Sequence, residues 1–329
     1  MFFSFHPLGA SNAIGKAGTT IRYSYLHCSG TEPAERLFAM PSLPIVLAHG
    51  YLGFGALGPL NYFNNVASIL RAAGATQVFA PDVAPKGTLK TRSAQLAQQI
   101  NAQFNDQKVH VIAHSMGGLD ARSLIAGGAT NIASLTTLGT PFRGTLAADV
   151  AVDPARLLQV NPAQLLAAIG RYQIGVAAAW PFDVEAMTHF AVGQLNAAVG
   201  NLGNGDYSGL ATYFSGLFSL DDGALSELTT EKCLQNFPDD QHDLRGVPAY
   251  SYAGSIAAAQ VTALLTVPAI LLSSTGQQND GVVPLASATL KNHMGTLPVD
   301  HFGLVGWTPA DVSDCYRQIY ATINALPAQ

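Results

Sequence analysis

The sequence predicts an α/β fold, with a mostly parallel central sheet and helices on both faces. Three observations lead there. Short continuous apolar runs recur, as strands buried on both faces require. Segments with apolar residues three and four apart lie between them, which is the helical period. Gly74, Pro81 and the Gly127-Gly128 pair then close individual elements. Strands that alternate with helices stack in parallel, joined by crossovers.

Residues 43–48 form an apolar run that opens into His49-Gly50, a buried strand entering a glycine-rich loop. Residues 61–73 read as a helix with Phe63, Val66, Ile69 and Leu70 on one face. Residues 76–80 read as the next strand, and 92–104 as a helix carrying Leu96, Ile100 and Phe104. A strand at 109–113, a helix at 119–126 and a strand at 132–138 follow. From Thr145 to Leu225 the chain becomes rich in Ala, Leu and Gly, the texture of a helical insertion. Asp153-Pro154 and Asn161-Pro162 each set a capping side chain before a proline at the first helical position. The sheet pattern resumes at 247–252 and again at 269–273. The expected organisation is a single domain over 1–329 with a helical insertion at 145–225.

Composition narrows the function classes. Of 329 residues, 48% are hydrophobic and 11% charged, where an average soluble domain has roughly a quarter charged. Such a chain has too much apolar surface to stay unfolded. The net charge of -5 argues against nucleic acid as a partner, which wants a basic footprint, and against a polybasic membrane clamp. Cys28, Cys233 and Cys315 contain no C-x-x-C pair, so a zinc ribbon or redox dithiol is not expected. The first residues, Met1 to Pro7, have no basic n-region and no long apolar stretch, so no Sec signal peptide is expected in this chain. The uncharged stretch from Gly246 to Asn279 carries Gln260, Thr262, Thr266 and Pro268. It reads as a buried helix and a core strand rather than a transmembrane segment.

The chemistry concentrates at residues 109–118. The strand runs into His114-Ser115-Met116-Gly117-Gly118 and a helix follows. A serine on a sharp strand-to-helix turn, with small residues two before and two after it, has the context of an activated nucleophile. Here Ala113 and Gly117 are those residues. The helix N-terminus beyond it favours a developing negative charge. A nucleophilic serine needs a base, and the base an orienting acid, in the chain order Ser, acid, His. His6, His27, His49 and His110 precede Ser115, His114 adjoins it, and His189 and His242 lie in or near the insertion. His293 and His301 remain. His301 is favoured, because it sits in a short loop, Val299 to Gly303, before an apolar run. For the acid, Asp280 stands in Asn279-Asp280-Gly281 past the predicted strand at 269–273, and Asp300 is its rival. Alone, an Asp-Gly is an ordinary turn. The preceding strand and the later histidine favour Asp280. Two backbone N–H groups are needed for an oxyanion. Met116 supplies one and Tyr51, in the loop after the first strand, the other. His49 is expected to tie down that loop. Asp239-Asp240-Gln241-His242-Asp243 lacks the glycine and terminal glutamate of a calcium loop and reads as a solvated loop. The chain has no G-x-G-x-x-G after a strand and no Walker motif, so no redox or nucleotide cofactor is expected.

These segments resemble a known family. Ala48-His49-Gly50-Tyr51-Leu52-Gly53-Phe54, Ala113 to Gly118, Leu138-Gly139-Thr140-Pro141-Phe142-Arg143-Gly144 and Asn279 to Val283 are similar to the bacterial triacylglycerol lipases of the Pseudomonas and Burkholderia type. Leu228-Thr229-Thr230-Glu231 and Phe237-Pro238 are similar as well. The resemblance implies an α/β-hydrolase fold with a lid in the 145–225 insertion. It implies a triad of Ser115, Asp280 and His301, with Tyr51 and Met116 as oxyanion donors. The implied substrate is a hydrophobic ester at a lipid–water interface, and the implied location is outside the cell, with the cytoplasm as the alternative. Sterol esters and aliphatic polyesters are alternative substrates, and a non-catalytic binding protein of the same fold is a further reading. Those lipases hold a structural calcium through an Asp before the catalytic acid and another two residues after the catalytic His. Here Ala253–Asn279 has no Asp and the second position is Gly303, so the calcium site is not expected to be kept. Some members also carry a disulfide whose second cysteine comes shortly after the catalytic Asp, and the residues just after Asp280 include no cysteine, so that disulfide is not expected.

Overall fold

The computed structural model describes residues 42–57, 60–176, 223–238 and 242–327. Six parallel strands make the central sheet: β1 (Ile45–Ala48), β4 (Val78–Phe79), β5 (Val109–His114), β6 (Ile132–Leu138), β7 (Ala249–Gly254) and β8 (His293–Leu297), in the spatial order β4-β1-β5-β6-β7-β8. The labels β2 (Ala56–Leu57) and β3 (Leu60–Asn61) belong to a small antiparallel hairpin in the loop after β1. The predicted parallel sheet is therefore present.

Its strands read as continuous apolar runs because alternate residues feed two cores. On β1, Val46 and Ala48 join a cluster with Leu96, Ile100, Phe104 and Leu119. Ile45 and Leu47 join another with Val66, Leu70, Tyr316 and Ile319. The first cluster is closed by helices α2 (Leu89–Phe104) and α3 (Met116–Ala126), the second by α1 (Val66–Ala72) and the C-terminal helix Ser313–Asn324. Each face of a parallel sheet is thus covered, as its backbone and side chains require.

The strand order also places the site. The chain leaves β1 toward β4, then crosses back to β5 on the other side of β1, so the order in which strands are added reverses between β1 and β5 while the strands stay parallel. The loops after two such strands diverge and leave a crevice at their carboxyl ends. The loop with Tyr51 follows β1, and Ser115 follows β5.

Several expectations are corrected. Residues 269–273 are not a strand but part of a helix, Thr266–Ser274. Val267, Ala269, Ile270, Leu271 and Leu272 are all buried, partly against Leu165, Ile169 and Tyr172 of the helix Pro162–Val176. A short run that is apolar on every side has no period by which to tell helix from strand. The helix expected at 61–73 begins only at Val66, because Asn61 still belongs to β3. Strand β8 has no counterpart among the predicted elements. It lies at the sheet edge, half-buried, so its sequence carries little apolar signal. The start of the insertion is helical as predicted. Asp153 accepts from Ala155 N–H, and Asn161 from Ala163 and Gln164 N–H. The rest of the insertion, from 177 to 222, lies outside the described residues, as do His6, His27, Cys28 and His189. No described helix is long and apolar enough to cross a membrane.

Candidate active site

Ser115 is the N-cap of α3, with φ 53° and ψ −130°. A non-glycine residue there is strained by about 1–3 kcal/mol, and such strain persists only where the surroundings impose it. Here the surroundings are specific. Ser115 N–H donates to the Leu138 carbonyl at 3.0 Å. Two residues on, a Cβ added to Gly117 would collide with the Ala48 carbonyl oxygen. Strand β1 and helix α3 touch at that point, which is why the sequence needs glycine there. The strain turns the serine out of the sheet at a helix N-terminus, where N–H groups lack intrahelical acceptors. Met116 is the first residue of α3 and its side chain is buried.

His301 and Asp280 are joined. His301 Nδ1 and Asp280 Oδ2 lie 2.7 Å apart, and His301 N–H donates to the Asp280 carbonyl at 2.8 Å. The other carboxylate oxygen, Oδ1, accepts from Val282 N–H at 3.0 Å and Val283 N–H at 2.7 Å. The carboxylate is thereby fixed on both sides, and the imidazole presents its opposite nitrogen, Nε2, for proton transfer. Both residues are buried.

Asp280 does not follow a strand directly, as predicted, but follows the helix Thr266–Ser274. The chain leaves β7, makes that helical excursion and returns. Ile256 N–H then donates to the Asn279 carbonyl at 3.1 Å, and a Cβ on Gly254 would lie 2.8 Å from Asp280 Cβ. The acid therefore still sits past a strand end, that of β7. Gly139, at the end of β6 with φ 58°, leaves room for the pair. A Cβ there would lie 3.0 Å from Asp280 Oδ2 and 3.1 Å from His301 Nδ1.

Gly50 lies against the serine, since a Cβ on it would meet Ser115 Cβ at 2.7 Å and Ser115 Oγ at 3.1 Å. Tyr51, the next residue, is thereby carried to the serine's side of the crevice. Among the described residues Ser115 Oγ makes no hydrogen bond, and none joins it to His301.

The loop is held from beneath. Val83 N–H donates to His49 Nε2 at 3.2 Å, so the ring proton is on Nδ1, which donates to the Gly50 carbonyl at 2.9 Å. Burial lowers the His49 pKa to about 4, so the ring stays neutral and this pattern is permanent. His49 thus ties down the loop. Sequence reasoning missed Arg92, whose guanidinium donates to the His49 carbonyl at 2.8 Å and to Ala84 at 2.7 Å, and pairs with Asp120. A buried arginine inside an amphipathic helix gives no sequence signal.

The remaining titratable residues take other places. Asp300, the rival acid, points away from the histidine ring. Its Oδ2 accepts from Thr262 N–H and Oγ1 at 2.7 Å, and its Oδ1 from Gly303 N–H at 2.8 Å. His293 is half-buried on β8 rather than solvated, bonded to Ser251 and Thr296. Asp243, expected in a solvated loop, pairs with buried Arg122 at 2.8 Å. Residues 239–241 of that loop lie outside the described residues. Cys233 and Cys315 are free thiols, with burial pushing both up to about 12.

Residues 92–170 match the family model of class 2 lipases. A triacylglycerol lipase of Pseudomonas fragi is 36% identical over 37% of this chain and 43% of its own length. One from Vibrio cholerae is 31% identical over 36% and 38%. The aligned stretch thus spans less than half of these two relatives. One from Burkholderia plantarii is 27% identical over 96% of this chain and 93% of its own. Among solved structures, a Bacillus licheniformis lipase superposes with a TM-score of 0.57 at 18% identity, over 87% of this chain and 93% of that one. Lipase 1 of Pelosinus fermentans gives 0.55 at 17%, over 87% and 100%. The resemblance to bacterial triacylglycerol lipases of the Pseudomonas and Burkholderia type therefore holds, and the chain has the α/β-hydrolase fold.

Proposed function

We propose that the protein is a serine hydrolase of carboxylic esters, and that its substrates are hydrophobic acylglycerols. The observation that carries the reading is a positive-φ serine between β5 and α3, at the same carboxyl end of the sheet as the His301–Asp280 pair. Ser115 Oγ attacks the ester carbonyl while His301 Nε2 takes its proton. Asp280 holds the ring in the tautomer that leaves Nε2 free and stabilises the imidazolium. The Met116 and Tyr51 N–H groups receive the oxyanion. His301 returns the proton to the leaving alcohol, and water then resolves the acyl-enzyme by the same steps.

The similarity to triacylglycerol lipases supports the acylglycerol reading. The lid is assigned to the insertion from 145 to 225, whose described part leaves Leu158 and Leu166 exposed. A carboxylesterase acting on sterol esters or polyesters is the second reading. Catalysis as read here needs no cofactor. The residues do not fit the family's calcium. Gly303 stands at one ligand position, and Asp300 beside it has both oxygens taken by Thr262 and Gly303. Those hydrogen bonds hold the His301 loop, so a chelator should leave activity unchanged.

The test is an ester panel from short acyl chains to emulsified triglyceride, with and without chelator. Ser115→Ala should lower turnover about 10³-fold or more with an unchanged melting temperature. It should also abolish labelling by a fluorophosphonate. Near wild-type turnover in this variant would remove the triad. A rate jump above the substrate's solubility limit favours the lipase over the esterase.

A further inference from the structure

His114 is buried beside the site, yet the mechanism above gives it no role. Its ring lies 4.3 Å from that of His301, centroid to centroid, tilted by 45°. Its Nε2 is 3.0 Å from the His301 carbonyl oxygen, and its Nδ1 is 2.7 Å from the Tyr62 hydroxyl. A carbonyl oxygen only accepts, so Nε2 must carry the ring proton. Nδ1 is then an acceptor, and the Tyr62 hydroxyl must be the donor. The phenol oxygen lies against the loop after β1, since a Cβ on Gly50 would meet it at 2.9 Å. One carbonyl at the end of the chain thus fixes the direction of every bond behind it.

The segments at the two ends are also tied together. Trp307 Nε1 donates to the Tyr62 carbonyl at 2.7 Å, and Asn64 Nδ2 to the Gly306 carbonyl at 2.7 Å. The stretch after His301 and the stretch around Tyr62 are therefore one unit.

We propose that Tyr62 and His114 are positioning residues for ester hydrolysis: a neutral hydrogen-bonded relay that fixes the His301 main chain relative to the loop carrying Gly50 and Tyr51. The inference rests on the hydrolase reading, because it assigns the relay a purpose in that reaction. The ring His114 packs against becomes an imidazolium in the transition state, so a positive neighbour would oppose it. Burial first, and His301 second, hold the His114 pKa well below the usual imidazole value. The relay therefore supplies geometry without charge.

Two measurements test this. The first is nitrogen NMR of ring-labelled histidines in the full chain, which requires no activity. His114 should be neutral with its proton on Nε2 at pH 5 to 8; a proton on Nδ1, or a charged ring, overturns the relay. The second is the kinetics of Tyr62→Phe on a soluble ester. Loss of one oriented hydrogen bond should lower kcat roughly 10-fold and leave KM within about twofold. The fluorophosphonate labelling rate should fall in step. An unchanged kcat in folded Tyr62→Phe overturns the proposal, and so does a fall in kcat only in proportion to lost folded protein. If Tyr62→Phe does not fold, His114→Phe and His114→Gln replace it. Gln keeps a donor and an acceptor and should recover part of the rate that Phe loses; equal rates in both overturn the proposal. Failure of the wild type to label would refute the hydrolase reading instead, with the tautomer still deciding whether the relay exists.

Discussion

The two faces of the sheet anchor the site by opposite means. On the side of α2 and α3, the loop after β1 rests on a buried ion pair, with Arg92 gripping the His49 and Ala84 carbonyls and Asp120. On the side of α1, His301 rests on Tyr62 and His114, both uncharged. The difference follows the charge that the proposed reaction creates. A cation behind the oxyanion loop is compatible with developing negative charge. Beside the imidazole, a second buried cation would oppose proton transfer, and in a low dielectric that opposition is strong. Burial raises the Asp120 pKa to about 6 even against the pull of Arg92. The charged side is therefore costly at neutral pH and is kept for orientation.

The largest effect should come from breaking the charged side. Arg92→Met leaves Asp120 buried without its partner and should cost about 3–5 kcal/mol, measured by urea unfolding. Arg92→Met with Asp120→Leu should recover most of that loss while activity stays low. A single-variant cost below about 1 kcal/mol would mean that the pair anchors nothing.

The acid limb of stability compares neutral and charged groups next. Burial lowers His49 and His110 to about 4, so each contributes stability above pH 6.5 that is lost as pH falls toward 4. The expected size is about 3 kcal/mol per histidine. Asp120 acts in the opposite sense. Its raised pKa makes its contribution greatest below the usual carboxylate range, and that contribution disappears as pH rises through about 6. With His114 also held low by burial, the histidines outweigh the one aspartate, so stability should fall between pH 6.5 and 4. His110→Asn should flatten that fall by one proton; an unchanged slope would show that His110 takes up its proton in the folded protein.

The smallest effect sharpens the comparison without touching either charge. Thr88 caps α2, accepting from Thr91 N–H at 3.3 Å. Thr88→Ala should cost about 1 kcal/mol by fraying the turn that presents Arg92. Equilibrium unfolding would read it, and the Tyr62–His114 side should keep its tautomer.

What the sequence determined by itself was everything with a local signature. The strand–serine–helix turn was legible because backbone crowding demands small residues at Ala113 and Gly117. The parallel sheet was legible because burial on both faces makes apolar runs. The order of serine, acid and histidine left His293 and His301, and the local context then favoured His301 with Asp280 over Asp300. The tertiary structure decided the rest. It made a helix of 266–274, because a segment buried all round carries no period, and it revealed the half-buried edge strand β8. It brought Asp280 back to the end of β7 after an excursion of 25 residues, from Ser255 to Asn279. It also set Tyr62 and His114 against His301, and Arg92 beneath His49. Those partners lie 52, 187 and 43 residues apart. A hydrogen bond depends on the meeting of two atoms in space, and local sequence carries no record of which distant chain will arrive there.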